Sequence, residues 1–150
     1  MRVRTAAPLA AAALLAGSAV HANAAAPKPK PKPITKTYSV TGVPFPAPPT
    51  GPSCSLSPQG VGTTRETITV KGPGKLVAEV TGFTGDWDMA LLSNSGTMLV
   101  QGAGADAGNT DAAPKESLVY KAKKAQTFFL DVCNFAGTPQ ATVKYVFTYS

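Results

Sequence analysis

The sequence predicts an all-β protein, an antiparallel, jelly-roll-like β-sandwich of seven to eight strands. Two observations favour this fold class: short runs in which apolar and polar residues alternate, and glycine- or proline-rich breaks between those runs. The most informative run places Trp87, Met89 and Leu91 on one face of a strand, and we predict that only this face is buried. The polar turn at 93–96 leads into a second strand at 98–101, so the two strands form a predicted hairpin.

Residues 1–24 have the pattern of a signal peptide. Arg2 and Arg4 precede an apolar core at 6–20, and residues 22–24 offer the small side chains that a signal peptidase recognises. The apolar core is shorter than the roughly 20 residues that a bilayer-spanning helix needs, so we expect no transmembrane segment. We therefore predict a secreted or periplasmic protein, and its high alanine content is typical of a bacterial one.

Residues 25–36 form a predicted linker, because proline and lysine alternate strictly from Pro27 to Pro33. Such a tract favours an extended polyproline II spacer. The alternative is electrostatic attachment of its lysines to an anionic surface such as the cell wall. From Thr50 onward the chain carries eight basic and eight acidic residues, so no nucleic-acid partner is expected.

Residues 37–150 are the predicted sandwich domain. Six prolines between Pro44 and Pro58 forbid regular strand pairing, so this segment is a predicted connector. A Gly-, Ala- and Asp-rich stretch at 102–114 is a predicted loop, and the Lys-rich turn at 121–124 is a predicted solvated tip. Apart from the hairpin, alternation places the strands at 36–43, 65–71, 75–81, 115–120, 126–133 and 141–149.

Cys54 and Cys133 are the only two cysteines of the chain. An even pair in an exported protein predicts one disulfide. The bridge would close a loop of about 80 residues, which in the chain-entropy model stabilises the fold by about 4–5 kcal/mol. It would also fasten the proline-rich connector to the strand at 126–133.

The composition argues against an enzyme. His21 is the only histidine, and it lies in the predicted signal peptide. The mature chain would then lack the imidazole of a Ser-His-Asp triad and of a histidine-ligated metal site. A glycosidase-like pair of carboxylates, Glu79 and Asp131, is the alternative, but both are predicted to face solvent. We therefore predict no catalytic residue.

Four short motifs occur in order: Gly74-x-Leu-x-Ala-x-Val80, Gly85-Asp-Trp-Asp-Met-Ala-Leu-Leu92, Ser95-Gly-Thr97 and Phe128-Phe-Leu-Asp-Val-Cys-Asn134. With the tyrosine-rich final strand, they resemble the bacterial pre-peptidase C-terminal domain over residues 63–149. The P domain of proprotein convertases is a second resemblance. Met89 and Ala90 replace the Leu-Tyr pair usual in the family, and Cys133 is atypical. The resemblance implies a jelly-roll-like sandwich that accompanies secreted peptidases.

The candidate binding residues are side chains that offer hard oxygen ligands, which suit Ca²⁺. They are Asp86, Asp88, Asp106, Asn109 and Asp111. We predict instead that these side chains accept hydrogen bonds from turn N–H groups, so no metal and no cofactor are predicted. Calcium binding is the alternative. Trp87 could stack on a sugar ring, but its alternation with Met89 and Leu91 favours a place in the core.

The function predicted from the sequence is that of a non-catalytic, exported binding or adhesion module. Its partner would be a protein or glycan of the cell envelope. The alternative, which the family resemblance implies, is a structural or inhibitory accessory partner of a secreted peptidase.

Overall fold

The computed structural model describes residues 29–44, 54, 62–104 and 115–150. In these ranges no helix is long and apolar enough to cross a bilayer. The chain there forms nine strands, which are β1 (Ile34–Thr41), β2 (Thr63–Val70), β3 (Gly74–Thr81), β4 (Gly85–Ser93), β5 (Met98–Gln101), β6 (Ala103–Gly104), β7 (Glu116–Ala122), β8 (Gln126–Gly137) and β9 (Gln140–Tyr149).

The strands form two antiparallel sheets that enclose one core. The five-stranded sheet has the order β1-β9-β3-β7-β6, and the four-stranded sheet has the order β2-β8-β4-β5. Leu76 and Phe147 of the first sheet pack in one hydrophobic cluster with Met89 and Phe128 of the second. The predicted all-β sandwich is therefore confirmed.

Alternation along each strand determines which side chains enter this core. In β9 the buried residues are Ala141, Val143, Tyr145 and Phe147, and the residues between them are half-buried or exposed. Successive side chains of a strand point to opposite faces of the sheet, so one face supplies the core and the other meets solvent. Full burial of a large side chain such as Phe147 stabilises the fold by about 1.5–3 kcal/mol.

Strand β4 departs from its prediction, because both of its faces are buried. Its core-facing side chains are buried as predicted, but Ala90 and Leu92 on the outer face of the four-stranded sheet are buried as well. They belong to a second apolar cluster, whose other buried members are Cys54, Cys133 and Phe135. The disulfide fastens Cys54 onto this outer face. Alternation predicts one buried face only, and it cannot show that a distant part of the chain covers the other.

Strand pairing explains three of the differences between the predicted and the observed strands. β1 begins at Ile34, inside the predicted linker, because Ile34 pairs with Phe147 of β9. β8 continues to Gly137, beyond its predicted end, because this residue still pairs with Gly85 of β4. The short strand β6 lies in the predicted loop at 102–114, because it pairs with the first residues of β7.

The predicted turn between β4 and β5 is confirmed. Ser93 N donates a hydrogen bond to Thr97 O at 2.8 Å, and Gly96 N donates to Ser93 O at 2.9 Å. The φ angle of Gly96 is 82°, in the left-handed region that glycine adopts without a Cβ clash. The sequence Ser-Asn-Ser-Gly is therefore suited to this tight turn.

A polar cluster joins the edge strands β1 and β2 along one side of the sandwich. Lys36 Nζ lies 2.7 Å from Glu66 Oε1, and Tyr145 Oη donates to the same oxygen at 3.4 Å. Lys36 also lies over the ring of Tyr38, with 5.0 Å between Nζ and the ring centroid. A charged side chain that points inward from an edge strand hinders pairing with a second chain.

The two tyrosines of this cluster predict a loss of stability at alkaline pH. Burial, and after it the charge of Glu66, raises the pKa of Tyr38 and of Tyr145 above the ordinary tyrosine value. The folded protein therefore holds these protons more tightly than the unfolded chain does. Their contribution to stability is complete below about pH 10 and is lost as the pH rises further, because the unfolded tyrosines ionise first.

We expect Tyr38→Phe to reduce this alkaline loss, because the variant removes a phenol oxygen that is buried and whose pKa is raised by that burial. The measurement is the shift of the urea unfolding midpoint between about pH 9 and pH 11, on either side of the ordinary tyrosine pKa. Equal shifts in the wild type and the variant would contradict the expectation.

Candidate binding surface

The structure joins the two cysteines of the chain. Cys54 and Cys133 form a disulfide, with 5.6 Å between their Cα atoms and a sequence separation of 79 residues. Both residues are fully buried. The predicted bridge is confirmed, and it favours an oxidising, extracytoplasmic compartment.

The predicted oxygen ligands lie only partly within the described residues. Asp86 and Asp88 belong to the start of β4, whereas Asp106, Asn109 and Asp111 lie outside the described residues. Asp88 is 8% exposed, on the outer face of the four-stranded sheet. In the described ranges, no group of three or more His, Cys, Asp or Glu side chains could hold a metal ion. The calcium alternative and the favoured role in binding turn N–H groups both stay predictions.

Trp87 belongs to the core, as its alternation predicted. It is 3% exposed, and its ring centroid lies 6.3 Å from that of Phe83. Its Nε1 donates to Thr138 O at 3.0 Å, and Thr84 N donates to Thr138 Oγ1 at 2.9 Å, so Thr138 also fixes the turn before β4. Every aromatic side chain in the described ranges is buried or half-buried, so this part of the protein offers no exposed ring to stack on a sugar.

Asp131 does not face solvent, contrary to the prediction. It is fully buried, and Arg65 of β2 lies directly opposite it on the outer face of the four-stranded sheet. Arg65 donates two hydrogen bonds, from Nε to Oδ1 and from Nη2 to Oδ2, each 2.7 Å long. The hydrogen bond to Asp131 raises the pKa of Arg65, whose guanidinium also lies 4.7 Å from the ring centroid of Phe129. A bidentate guanidinium offsets the cost of burying the carboxylate, which explains how a charge is tolerated here.

Glu79 and Asp131 do not form the glycosidase-like pair that was the alternative. Glu79 lies on the outer face of the five-stranded sheet and forms an ion pair with Lys115 at 3.0 Å. Asp131 lies on the outer face of the other sheet, with the hydrophobic core between the two. Two carboxylates on opposite faces of a sandwich cannot flank the same glycosidic bond.

Exposed lysines are concentrated at one end of the sandwich, which we call the lysine end. This end is formed by the β2–β3, β4–β5 and β7–β8 connections, the start of β1 and the end of β9. Its exposed lysines are Lys30, Lys32, Lys71, Lys75, Lys121, Lys123 and Lys124.

No aspartate or glutamate of the described residues lies at the lysine end. The described carboxylates lie in the middle of strands or towards the opposite end, and they are Glu66, Glu79, Asp86, Asp88, Glu116 and Asp131. Ion pairing shows the same division. Of the three described lysines away from this end, Lys36 and Lys115 each pair with a carboxylate, whereas within the described part of the chain no lysine of the lysine end does so. The basic and acidic residues after Thr50 are equal in number, but they are distributed unevenly over the surface.

Two lysines of this end lie side by side. Lys75 of β3 is in register with Lys121 of β7, and both side chains are exposed. Like charges at directly opposite positions destabilise a sheet, by about 0.2–1 kcal/mol on the scale of cross-strand pairs. This arrangement opposes folding stability, and a bound anion would relieve the repulsion.

A polar depression lies at the lysine end, between the β4–β5 and β7–β8 turns, and we call it the turn depression. Its volume is about 450 Å³, and it is lined by Ser93, Asn94, Ser95, Lys124, Ala125, Gln126 and Thr127. The lining supplies hydroxyl, amide and ammonium groups and no carboxylate. A depression of about 320 Å³ at the opposite end, lined in part by Gly42 and Gly62, has no charged side chain in its wall.

Comparison with known proteins finds a likeness among solved structures. No family model and no curated protein matches the sequence. Among solved structures, the chain is similar to the pre-peptidase C-terminal domain of a collagenase from Bacillus anthracis, with a TM-score of 0.44 and 14% sequence identity, over 75% of this chain and 85% of that chain. That solved structure is a member of the family that the strand motifs resemble.

Proposed function

We propose that the protein is an exported, non-catalytic binding module that engages an anionic glycan of the cell envelope through its lysine end. The observation that carries this proposal is the separation of charge: seven exposed lysines lie at one end, and no described aspartate or glutamate side chain lies among them. A surface of one sign attracts a polymer of the opposite sign over a distance of about a Debye length, close to 10 Å at moderate salt.

The kind of cation favours a polymer with repeated charges. The lysine end contains no described arginine, because Arg65 is engaged by Asp131 in the middle of the four-stranded sheet. An ammonium is a hydrated point charge that imposes little geometry on its partner, whereas a guanidinium selects planar groups through paired hydrogen bonds. Lysines spread over several turns therefore suit a long polyanion better than one specific carboxylate.

The Pro/Lys tract supports the same function. Lys30 and Lys32 are exposed and precede β1, which begins at the lysine end. The predicted spacer and its alternative, electrostatic attachment, are thus compatible, since an extended tract would lengthen the basic surface. The tract and the turns would bind the same polymer chain. Binding at one of them would raise the effective concentration of the polymer at the other.

The alternative function is that of an accessory partner of a secreted peptidase, which the motif resemblance implies. It predicts a protein partner and a complex whose stability depends on apolar and hydrogen-bonded contacts as well as on charge. The two functions therefore differ in the partner class and in how steeply binding falls with salt.

The proposed function is tested by binding to dextran sulfate, with uncharged dextran as the neutral control. We compare the wild type with the variant Lys75→Gln/Lys121→Gln/Lys123→Gln and with a matched variant, Lys36→Gln/Lys115→Gln/Lys144→Gln, which removes the same charge elsewhere. We expect the lysine-end variant to lose about tenfold or more in affinity for dextran sulfate and the matched variant to lose about threefold or less, with binding of the wild type falling steeply as salt rises.

Equal losses in the two variants would show that net charge, and not the lysine end, governs binding. No binding of dextran sulfate by the wild type, together with capture of a peptidase from the secreted proteins of the host, would favour the accessory function instead.

A further inference from the structure

We propose that the turn depression is the anchor site for the phosphodiester group of a sugar- or polyol-phosphate polymer. This proposal rests on the proposed function, since it identifies the chemical class of the anionic glycan. The depression is a concave feature of the lysine end, and Lys124 lines it beside the exposed Lys123. A concave site surrounded by charges of one sign concentrates the field on a bound anion.

Hydroxyl groups on the β4–β5 side of the depression form a preformed network. Thr97 N donates to Ser93 Oγ at 3.1 Å, Ser93 Oγ and Ser95 Oγ are 2.7 Å apart, and Ser95 Oγ lies 3.4 Å from Thr97 Oγ1. The three hydroxyls carry three protons, and their two mutual contacts use two of them. One hydroxyl proton therefore remains for a partner outside the network. When Ser93 or Ser95 carries it, an anionic oxygen in the depression can accept it, because both residues line the depression.

The β7–β8 side supplies complementary groups. Lys124 offers three ammonium protons, and Gln126 offers an amide that both donates and accepts. Thr127 Oγ1 is held 3.1 Å from Thr69 Oγ1, so its position is fixed by the neighbouring strand β2. Hydroxyl and amide groups around one ammonium suit a phosphate that is flanked by alcohol groups. The phosphate oxygens would accept hydrogen bonds from the donors, and the alcohols would form hydrogen bonds with the amide.

The lining favours a phosphodiester polymer over the other polyanions. Lysine is a common phosphate ligand that acts as a point charge, so Lys124 suits a phosphodiester, whereas a carboxylate polymer is recognised best by paired guanidinium donors, which this depression lacks. Single-stranded nucleic acid is bound by proteins through exposed aromatic rings that stack on its bases, and every described aromatic side chain is buried or half-buried.

A lipid surface fits the lysine end less well than a polymer does. Of the exposed large apolar side chains in the described ranges, Val43, Met98 and Val119, only Met98 lies next to the turns of the lysine end. One methionine gives little apolar area to insert among acyl chains. The phosphate groups of a bilayer are also held in a plane, whereas a flexible polymer can enter a depression.

The probe is poly(glycerol phosphate), with vesicles of phosphatidylglycerol as the lipid source of the same phosphodiester chemistry. The variants are Lys124→Gln and Ser95→Ala in the depression, and Lys75→Gln as the matched charge removal at the same end. We expect Lys124→Gln to weaken binding of the polymer by about tenfold and Ser95→Ala by about fivefold, with about threefold for Lys75→Gln.

Equal effects of Lys124→Gln and Lys75→Gln, with none from Ser95→Ala, would overturn the anchor site while leaving the proposed function in place. Tighter binding of the vesicles than of the polymer would overturn the choice of a glycan. Failure of the wild type to bind either the polymer or dextran sulfate would remove the proposed function along with the anchor site.

Discussion

Replacing both cysteines, as Cys54→Ser/Cys133→Ser, is expected to lower the free energy of unfolding by about 4–5 kcal/mol. The sequence separation of 79 residues makes the closed loop long, and the entropy that the bridge removes from the unfolded chain grows with loop length. The bridge also holds Cys54 against Ala90 and Leu92, so its loss would expose part of the second apolar cluster. The measurement is urea unfolding of the oxidised wild type and the double variant.

The wild type treated with reductant is the control for the loss of packing that serine introduces. We expect the reduced protein and the double variant to unfold at similar urea concentrations, both well below the oxidised wild type. An unfolding midpoint of the double variant equal to that of the oxidised wild type would show that the bridge contributes little to stability.

The substitution Arg65→Met is expected to destabilise the fold by about 3 kcal/mol, because it leaves the buried carboxylate of Asp131 without its guanidinium partner. Methionine preserves much of the side-chain volume over the ring of Phe129, so the effect reports mainly on the charge. Urea unfolding at neutral pH measures it.

The double variant Arg65→Met/Asp131→Leu is the control, since it removes both charges. Because a hydrophobic pair can replace a buried ion pair at little cost, we expect it to recover most of the stability that Arg65→Met loses. A double variant no more stable than Arg65→Met would mean that the two residues do not act as a pair.

Most of the fold could be predicted from the sequence, because local alternation determines which residues face a shared core. β3 and β9 alternate regularly, and both were placed within one residue of their observed bounds. The double burial of β4 could not be predicted from alternation. It depends on Cys54, which lies more than 30 residues earlier in the sequence.

The contacts of Asp131 and Trp87 show the same limit at the level of single side chains. The burial of Trp87 could be predicted from its alternation with its neighbours in β4. Asp131 was predicted to be exposed because it alternates with apolar residues, but its partner Arg65 comes from another strand. A sequence shows the charge of a residue but not the charge placed opposite it.

The lysine end was not predicted, for a related reason. Basic and acidic residues balance along the sequence after Thr50, and the turn at 121–124 was predicted to be a solvated tip. The structure brings this turn to the same end as Lys71, Lys75 and the start of β1. The signal in the sequence was the position of the lysines beside strand ends that the antiparallel order places together.

A residue-resolved titration shows whether the lysine end binds a polyanion. We would record backbone amide chemical shifts of the protein while adding short poly(glycerol phosphate) chains at low salt. We predict that the largest shifts fall at residues 71–75, 93–97 and 121–127, and that high salt reverses them. Shifts centred on the opposite end, around Gly62 and Pro139, or no shifts at all, would contradict the account.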